Sequence, residues 1–590
     1  MNTSPTVIKQ VFVVSLVLFL TPGAWADTKP GETKRPWTIL LYGAVDNSAD
    51  DPFVAFTDQV RRALDDDPGV ELLLLIDRSD KHTRRTMLFG EDFHTTRLYR
   101  VKKDSVERLS GGTHFPEITK DKDAKLNSAD AATLQRFIAW GKATAPAQRY
   151  GLLIYSHANG QTMCPADKAG DDMGIAEVTD KIGPEGRVDF LALELCGMGG
   201  LEIAYQWRPG TGRFGADVLL AIPNAGPPLD WHRAFGRIRS PGHAPQGGPA
   251  VDPTQMTAAD FGKLVIEEGR KGREEADKRR GRPSREAAGC YDLHKAADVK
   301  KAVDALAVAL AKADAKSVFL ELRQARAEEE RLMNYSEDGA YVDLYDLCQR
   351  LASCPRLPEQ ARAAAANVLK CVEGFMIASF GMGGYPRFAA GKHGVFIVLP
   401  SGRPGCWKHY RWYSPQKNGK NQGNWVFLQD GATPGNGVVE NWFELLEAWF
   451  NVPEEKNGTA VTPGAKEEMD KLQGEWIMAA LEQRGEKPRA MTARQTKLTV
   501  VGNQWTVTPA AGQGPTRQWK FHVDPTQNPK AIDLALKVGN NEIIVPGIYK
   551  MEGDTLTVCR TQAAGDVERP REFKTTVEEG MIIVWKRVQK

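Results

Sequence analysis

Residues 37–78 read WTILLYGAVDNSADDPFVAFTDQVRRALDDDPGVELLLLIDR. The stretch predicts a strand, a helix and a second strand. Both strands are nearly continuous in apolar residues, as a parallel sheet covered on both faces demands, because neither side-chain direction meets water. The pattern recurs downstream. Ala131 to Thr144 has helical periodicity, while Gly151 to Ser156, Val188 to Cys196, Ala216 to Ile222 and Gly394 to Pro400 are apolar runs of strand length. Strands alternating with helices predict an α/β fold with helices layered on the sheet.

Other segments carry different patterns. Residues 236–288 are rich in Gly, Pro and charge, and their end, GREEADKRRGRPSREAA over 272–288, reads as a solvated helix end and loop. Alanine and leucine spacing predicts helices over 292–315 and 357–375. After Val452 the composition turns polar, and 453–470 reads as a linker with little to bury. Beyond it, short alternating segments such as KLTVVGNQWTVTP (497–509) and DTLTVCRT (554–561) predict a small antiparallel β barrel or sandwich over 471–590. The N-terminus has Lys9, a ten-residue apolar run from Val11 to Leu20, and then Ala24-Trp25-Ala26. This is the make-up of an export signal over 1–26, cut after Ala26, and it places the chain outside the cytoplasm, secreted or periplasmic. The run is too short to span a bilayer, so no stable membrane insertion is expected.

With 590 residues the chain exceeds one ordinary domain, and 42% hydrophobic with 26% charged residues is globular composition. A net charge of +2 gives no basic face for nucleic acid. Eight cysteines are too few for a disulfide-framed scaffold, and the absence of a CxxC pair argues against a cysteine zinc site. Cys348, Cys354 and Cys371 lie in a helical region that offers one bridge.

Two residues stand at strand ends. In RYGLLIYSHANG an apolar strand runs into His157, and in VDFLALELCGMGG another runs into Cys196. The carboxyl ends of parallel strands line the working edge of such sheets. An imidazole titrates near neutrality, and a nearby imidazole helps form the thiolate that acts as nucleophile. Backbone N–H groups around Gly197 suit a developing oxyanion. Each residue alone also fits an ordinary loop histidine or a buried structural thiol. Ser156 beside the histidine raises a serine hydrolase, but no GxSxG elbow surrounds it.

Five ordered stretches, WTILLYGAVDNSAD, LLIYSHANG, DFLALELCGMGGLEIAYQ, YVDLYDL (341–347) and HGVFIVLP (393–400), resemble the clostripain-like cysteine peptidases, relatives of caspases and gingipains. The likeness runs in order from about Trp37 to about Phe450, and the peptidase domain is expected over 27–452. It implies a caspase-like αβα sandwich, a His157–Cys196 dyad, protein or peptide substrates and no required cofactor. Ala158 stands where the family has glycine, and it and Gly197 are the implied oxyanion donors. Glu194 stands where the family has aspartate. Being two residues from Cys196 it shares that face, and a carboxylate there selects Arg or Lys. Asn224, within IPNAGPPLDW (222–231), is the second implied substrate-binding residue. Family members cut themselves between histidine and cysteine; Lys168 is the only basic residue of GQTMCPADKAGDDMG (160–174) and the candidate cleavage point. Calcium serves some relatives, and adjacent Asp171 and Asp172 are its candidate ligands, two carboxylates where the ion wants six to eight oxygens. LQGEW, PKAIDL, GIYKMEGDTLTVC and RPREF in the tail resemble a lipocalin-like domain, for which a filled barrel is the expectation. The departures at Ala158, Leu195 and Ile222 motivate the alternative of an inactive peptidase fold that binds through its barrel.

Overall fold

The computed structural model describes residues 34–588 apart from 66–68, 85–86, 325–331, 337–339, 401–415, 418–419, 422–424, 434–435, 451–463, 484–495, 510–515, 539–540, 562–568 and 576–579. The expected export segment with its cut after Ala26, and Cys406, lie outside the described residues. The chain divides into two compact units, Met1–Lys34 and Arg35–Lys590, and every element below belongs to the second.

Nine strands form the main sheet: β1 (Arg35–Val45), β2 (Val70–Arg78), β3 (Thr96–Lys102), β4 (Ser105–Leu109), β5 (Ala147–Tyr155), β6 (Val188–Glu194), β7 (Ala216–Ala221), β8 (Ala287–Asp292) and β9 (Met376–Gly381). Their spatial order is β9-β8-β7-β6-β5-β1-β2-β3-β4. The five central strands run parallel. Two antiparallel strands extend the sheet at each edge. These edge strands, such as TRLYRVK and SVERL, carry too many polar residues to show as apolar runs, and for that reason the sequence reading missed them. The late strand expected at 394–400 is Phe396–Val398, and it pairs with Tyr341–Asp343 outside the main sheet.

Side chains alternate across the sheet into two cores. Leu40, Tyr42, Leu152, Ile154, Leu191 and Leu193 pack against helices Ala131–Thr144, Ile175–Ile182 and Ala296–Lys312 on one face. Trp37, Ile39, Leu41, Tyr155 and Phe190 pack against Asp50–Ala63, Trp231–Arg237 and Ala258–Arg280 on the other. Each such side chain contributes about 1.5–3 kcal/mol when removed from water. The helix Ala258–Arg280 is the one whose end the sequence places in 272–288, and it begins well before that charged stretch. Its Thr257–Asp260 capping box fixes the start, Gly281 in the left-handed region ends it, and Phe261, Leu264 and Val265 form its buried stripe. The charge run that suggested a solvated end is only its outer face and last turns.

The C-terminal strands close a barrel: β10 (Gly474–Gln483), β11 (Lys497–Val501), β12 (Gln504–Thr508), β13 (Arg517–Asp524), β14 (Ala531–Val538), β15 (Asn541–Glu552), β16 (Thr555–Arg560) and β17 (Met581–Arg587). All neighbours are antiparallel, and β10 pairs with β17 to seal it. Helix Ala465–Leu472 sends Ala465 and Leu472 into the barrel core, so the stretch read as linker over 453–470 gives way to barrel packing at 465.

Candidate functional site

β1 is followed by a helix on one face and β5 by a helix on the other, which makes the gap between their carboxyl ends a switch point. Such gaps open a crevice where the loops part. β5 and β6 are parallel neighbours in which Tyr155 is the partner of Glu194. His157 and Cys196 are each the second residue beyond that pair. Their chain segments therefore leave the sheet side by side, at a strand spacing of about 4.8 Å. Cys196 is a free, half-buried thiol. His157 is exposed, and its Nε2 lies 2.9 Å from Ser48 Oγ in the loop after β1. Although the side chain reaches solvent, partial desolvation holds the imidazole below its ordinary pKa; neighbouring Asp167 opposes this and His82 reinforces it. The neutral ring is thus favoured near neutral pH.

The segment after His157 is pinned by the hairpin Thr162–Ala166/Asp171–Gly174. Cys164 N–H donates to His157 O at 2.9 Å, and Asn159 N–H donates to Thr162 O at 3.2 Å. These bonds flank Ala158, whose own N–H points away from the hairpin, as in any non-hydrogen-bonded pair. Ala158 is not among the described residues with positive φ, so its Cβ is tolerated where the family has glycine. Gly197 is different. Its φ of +68° is a left-handed angle that favours glycine, but its N–H donates to Asn224 O at 3.0 Å. The expectation that Gly197 offers a free oxyanion donor is corrected by that bond.

Glu194 shares a face with Phe190 and Ala192 and is 4% exposed. Leu229 N–H donates to its Oε2 at 3.0 Å and Trp231 Nε1–H to its Oε1 at 2.5 Å. Burial pushes its carboxyl up to about 7, against the pull of those two donors and of Arg273. Tyr155 is raised by burial and by the charges of both Glu194 and Cys196, which puts all three groups in one neighbourhood. Asn224, expected to face substrate, is buried instead; its Nδ2 donates to Arg285 O and, at 3.3 Å, to Tyr385 Oη. Its place is to hold the Gly197 loop. Ser156 Oγ donates to Ala44 O at 2.5 Å and is buried, so it is a structural group and no nucleophile.

Lys168 sits at the hairpin tip, 58% exposed at its side chain. The tip is tied to the loop after β1, because Asp167 N–H donates to Asp46 O and Lys168 N–H to Asp46 Oδ2. Asp167 also meets His82 Nε2 at 2.7 Å. Asp171 accepts from Asn127 and Asp172 from Thr162, and among the described residues no group of three or more His, Cys, Asp or Glu gathers to hold a metal. Cys348, Cys354 and Cys371 are free, so the bridge expected there does not form; Cys348 points into the core. Ser48, His82 and Tyr341, whose hydroxyl donates to Asn159 O at 2.9 Å, escaped the sequence reading. Only Ser48 had a signal, its place just past the carboxyl end of the first strand.

Residues 49–449 match the model of the clostripain family. Clostripain of Hathewaya histolytica is 30% identical over 470 residues, covering 71% of this chain and 88% of that protein. Among solved structures, an inactive zymogen C11 protease from Parabacteroides distasonis aligns with a TM-score of 0.42 at 15% identity, over 67% of this chain and 99% of its own. A secreted C11 cysteine protease from Bacteroides thetaiotaomicron, in complex with an irreversible peptide inhibitor, aligns at 0.41 and 16%, over 64% and 98%. Among the described residues no helix is long and apolar enough to cross a membrane. The family match over most of the chain and the curated relative agree, and the chain belongs to the clostripain family of cysteine peptidases.

Proposed function

We propose that this chain is an exported endopeptidase in which Cys196 is the nucleophile and His157 its proton partner, cutting after Arg or Lys and maturing by cleavage after Lys168. The observation that carries the reading is the register of β5 on β6, Tyr155 against Glu194, which brings the histidine and cysteine segments off one sheet edge together. Cys196 Sγ, as thiolate, attacks the scissile carbonyl carbon. The oxyanion so formed takes the outward N–H of Ala158. The C–N bond then breaks as His157 delivers its proton to the leaving amine, and water, deprotonated by the same ring, releases the acyl group from sulfur. Ser48 on Nε2 leaves Nδ1 as the nitrogen for this traffic. The chemistry uses no cofactor.

Glu194 supports a basic preference: two of its acceptor positions are filled by Leu229 and Trp231, and the carboxylate keeps others for a guanidinium or ammonium. Export rests on the basic start, apolar run and Ala24-Trp25-Ala26. Self-cleavage rests on the exposed Lys168 side chain on the hairpin beside His157. The inactive-binder alternative is not favoured, since the backbone at Ala158 accepts its Cβ. The test is turnover of fluorogenic peptides bearing Arg, Lys, Ala or Asp at P1, with wild type and Cys196→Ala in parallel. Cleavage after Arg or Lys that disappears in the variant is expected; turnover surviving in Cys196→Ala would refute the nucleophile.

A further inference from the structure

The expected filled barrel has a hollow. A cavity of about 200 Å³ lies inside it, with walls that include Leu481, Trp505, Trp519, Val558, Ile583 and Trp585. Strand register sorts this wall into layers. Leu481 pairs with Ile583 and Val558 with Ile583 across the middle, and Trp505 with Trp519 beside them. Two residues further along each strand, Gln483 and Arg560 pair with Met581, and Val507 pairs with Arg517. Alternation keeps these residues on the inner face, so the apolar interior rises to one end that carries two arginines.

Among the described residues neither arginine meets a carboxylate. Arg560 donates instead to a neutral acceptor, the Thr561 carbonyl, at 3.0 Å, and among the described residues no ion pair involves Arg560 or Arg517. Burial and the like charge of Arg517 both pull the Arg560 guanidinium below its ordinary pKa. Arg560 is half-buried and Arg517 exposed at the mouth; a partly desolvated guanidinium beside a second cation is relieved by an anion.

We propose that the barrel binds a small amphipathic carboxylate, its head on Arg560 and Arg517 and its apolar tail along Val558, Ile583 and Trp505. At about 30 Å³ per water-sized group the cavity takes about seven such groups, which fits an acyl chain of about eight carbons. Guanidinium and carboxylate match as a planar, two-bonded pair, so the site prefers an acid to its alcohol. This inference stands apart from the peptidase reading and does not depend on Cys196.

The probe is octanoate, with 1-octanol as the neutral control, titrated into the full chain and read by calorimetry and by fluorescence of the cavity tryptophans. Saturable one-to-one binding of octanoate is expected, at least about tenfold tighter than octanol. Arg560→Met weakens octanoate by about tenfold or more and leaves octanol unchanged. Arg517→Met acts in the same direction, and Val558→Trp, which fills the waist, abolishes both. Circular dichroism identifies variants that fold, and any one folded variant suffices for the decision. Equal affinity for acid and alcohol overturns the arginine head site. No binding of either, or octanoate binding indifferent to Val558→Trp, overturns the cavity as the site.

Discussion

Trp231→Phe offers the sharpest test of how this site reads its substrate. The indole N–H is one of two donors on the buried Glu194 carboxylate, at 2.5 Å. Both donors favour the ionised form, while burial opposes it and sets the group at about 7. A hydrogen bond to a charged group is worth about 1.5–3 kcal/mol. At 1.36 kcal/mol per unit, losing it raises the carboxyl by about 1–2 units, to about 8–9. The ionised fraction at pH 7 then falls from about one half to between about one tenth and one hundredth. A basic P1 residue needs the carboxylate, whereas an Ala substrate does not. The assay is kcat/KM against pH for P1-Arg and P1-Ala peptides, which reports the free enzyme. The Arg/Ala ratio cancels the titration of Cys196 and His157 and any loss of folded enzyme. In wild type the ratio decays as pH falls through about 7. In the variant it is about 5–50-fold lower at pH 7 and recovers above about pH 9.5. A ratio independent of pH in wild type, or a midpoint unmoved by the substitution, refutes Glu194 as the charge that selects Arg or Lys.

Stability carries a related signature. Glu194 and Glu202 are both raised by burial from 4.5 to about 7, so the stability present below about pH 4.5 is lost as pH rises through about 7. Melting curves at pH 5 and pH 8 should differ in that direction, by up to about 3 kcal/mol per group on the 1.36 kcal/mol scale. Ser48→Ala removes one hydrogen bond from His157, and kcat should drop about 3–10-fold with KM unchanged, Ser48→Thr restoring most of it. A KM change of the same size would point to loop disorder rather than to the ring. Lys168→Gln should leave purified active protein as one band on a denaturing gel where wild type gives two fragments; identical fragment patterns would move the cut elsewhere.

The fold and the site were legible in the sequence to different degrees. Parallel core strands announce themselves, because the middle of a strand buried on both faces must be apolar, and β1, β2, β5, β6 and β7 each carry such an apolar run, with charged or polar residues toward their ends. Edge strands such as Thr96–Lys102 need no such composition, since tertiary pairing and not local pattern makes them strands. The long helix Ala258–Arg280 was hidden because only its charged last turns were weighed, while Phe261, Leu264 and Val265 carried the helical period. His157 and Cys196 stood out as candidates from a local feature, an apolar run ending in a reactive side chain, and only the resemblance over several ordered stretches joined them into a pair.

What those side chains touch was beyond the sequence. That Gly197 N–H belongs to Asn224 O, that Trp231 and Leu229 hold Glu194, and that Ser48 meets His157 are bonds between residues 27 to 109 positions apart. The sequence by itself determined the layered α/β class and the small C-terminal β domain, and it put forward His157 and Cys196 as the candidate pair, because periodicity and strand ends are local. Only the tertiary structure decided which donors are spent, which carboxylate is desolvated and that the barrel is hollow with two arginines at one end that meet no carboxylate among the described residues. Those properties depend on burial and on partners brought together by folding, and neither quantity is written at any single position of the chain.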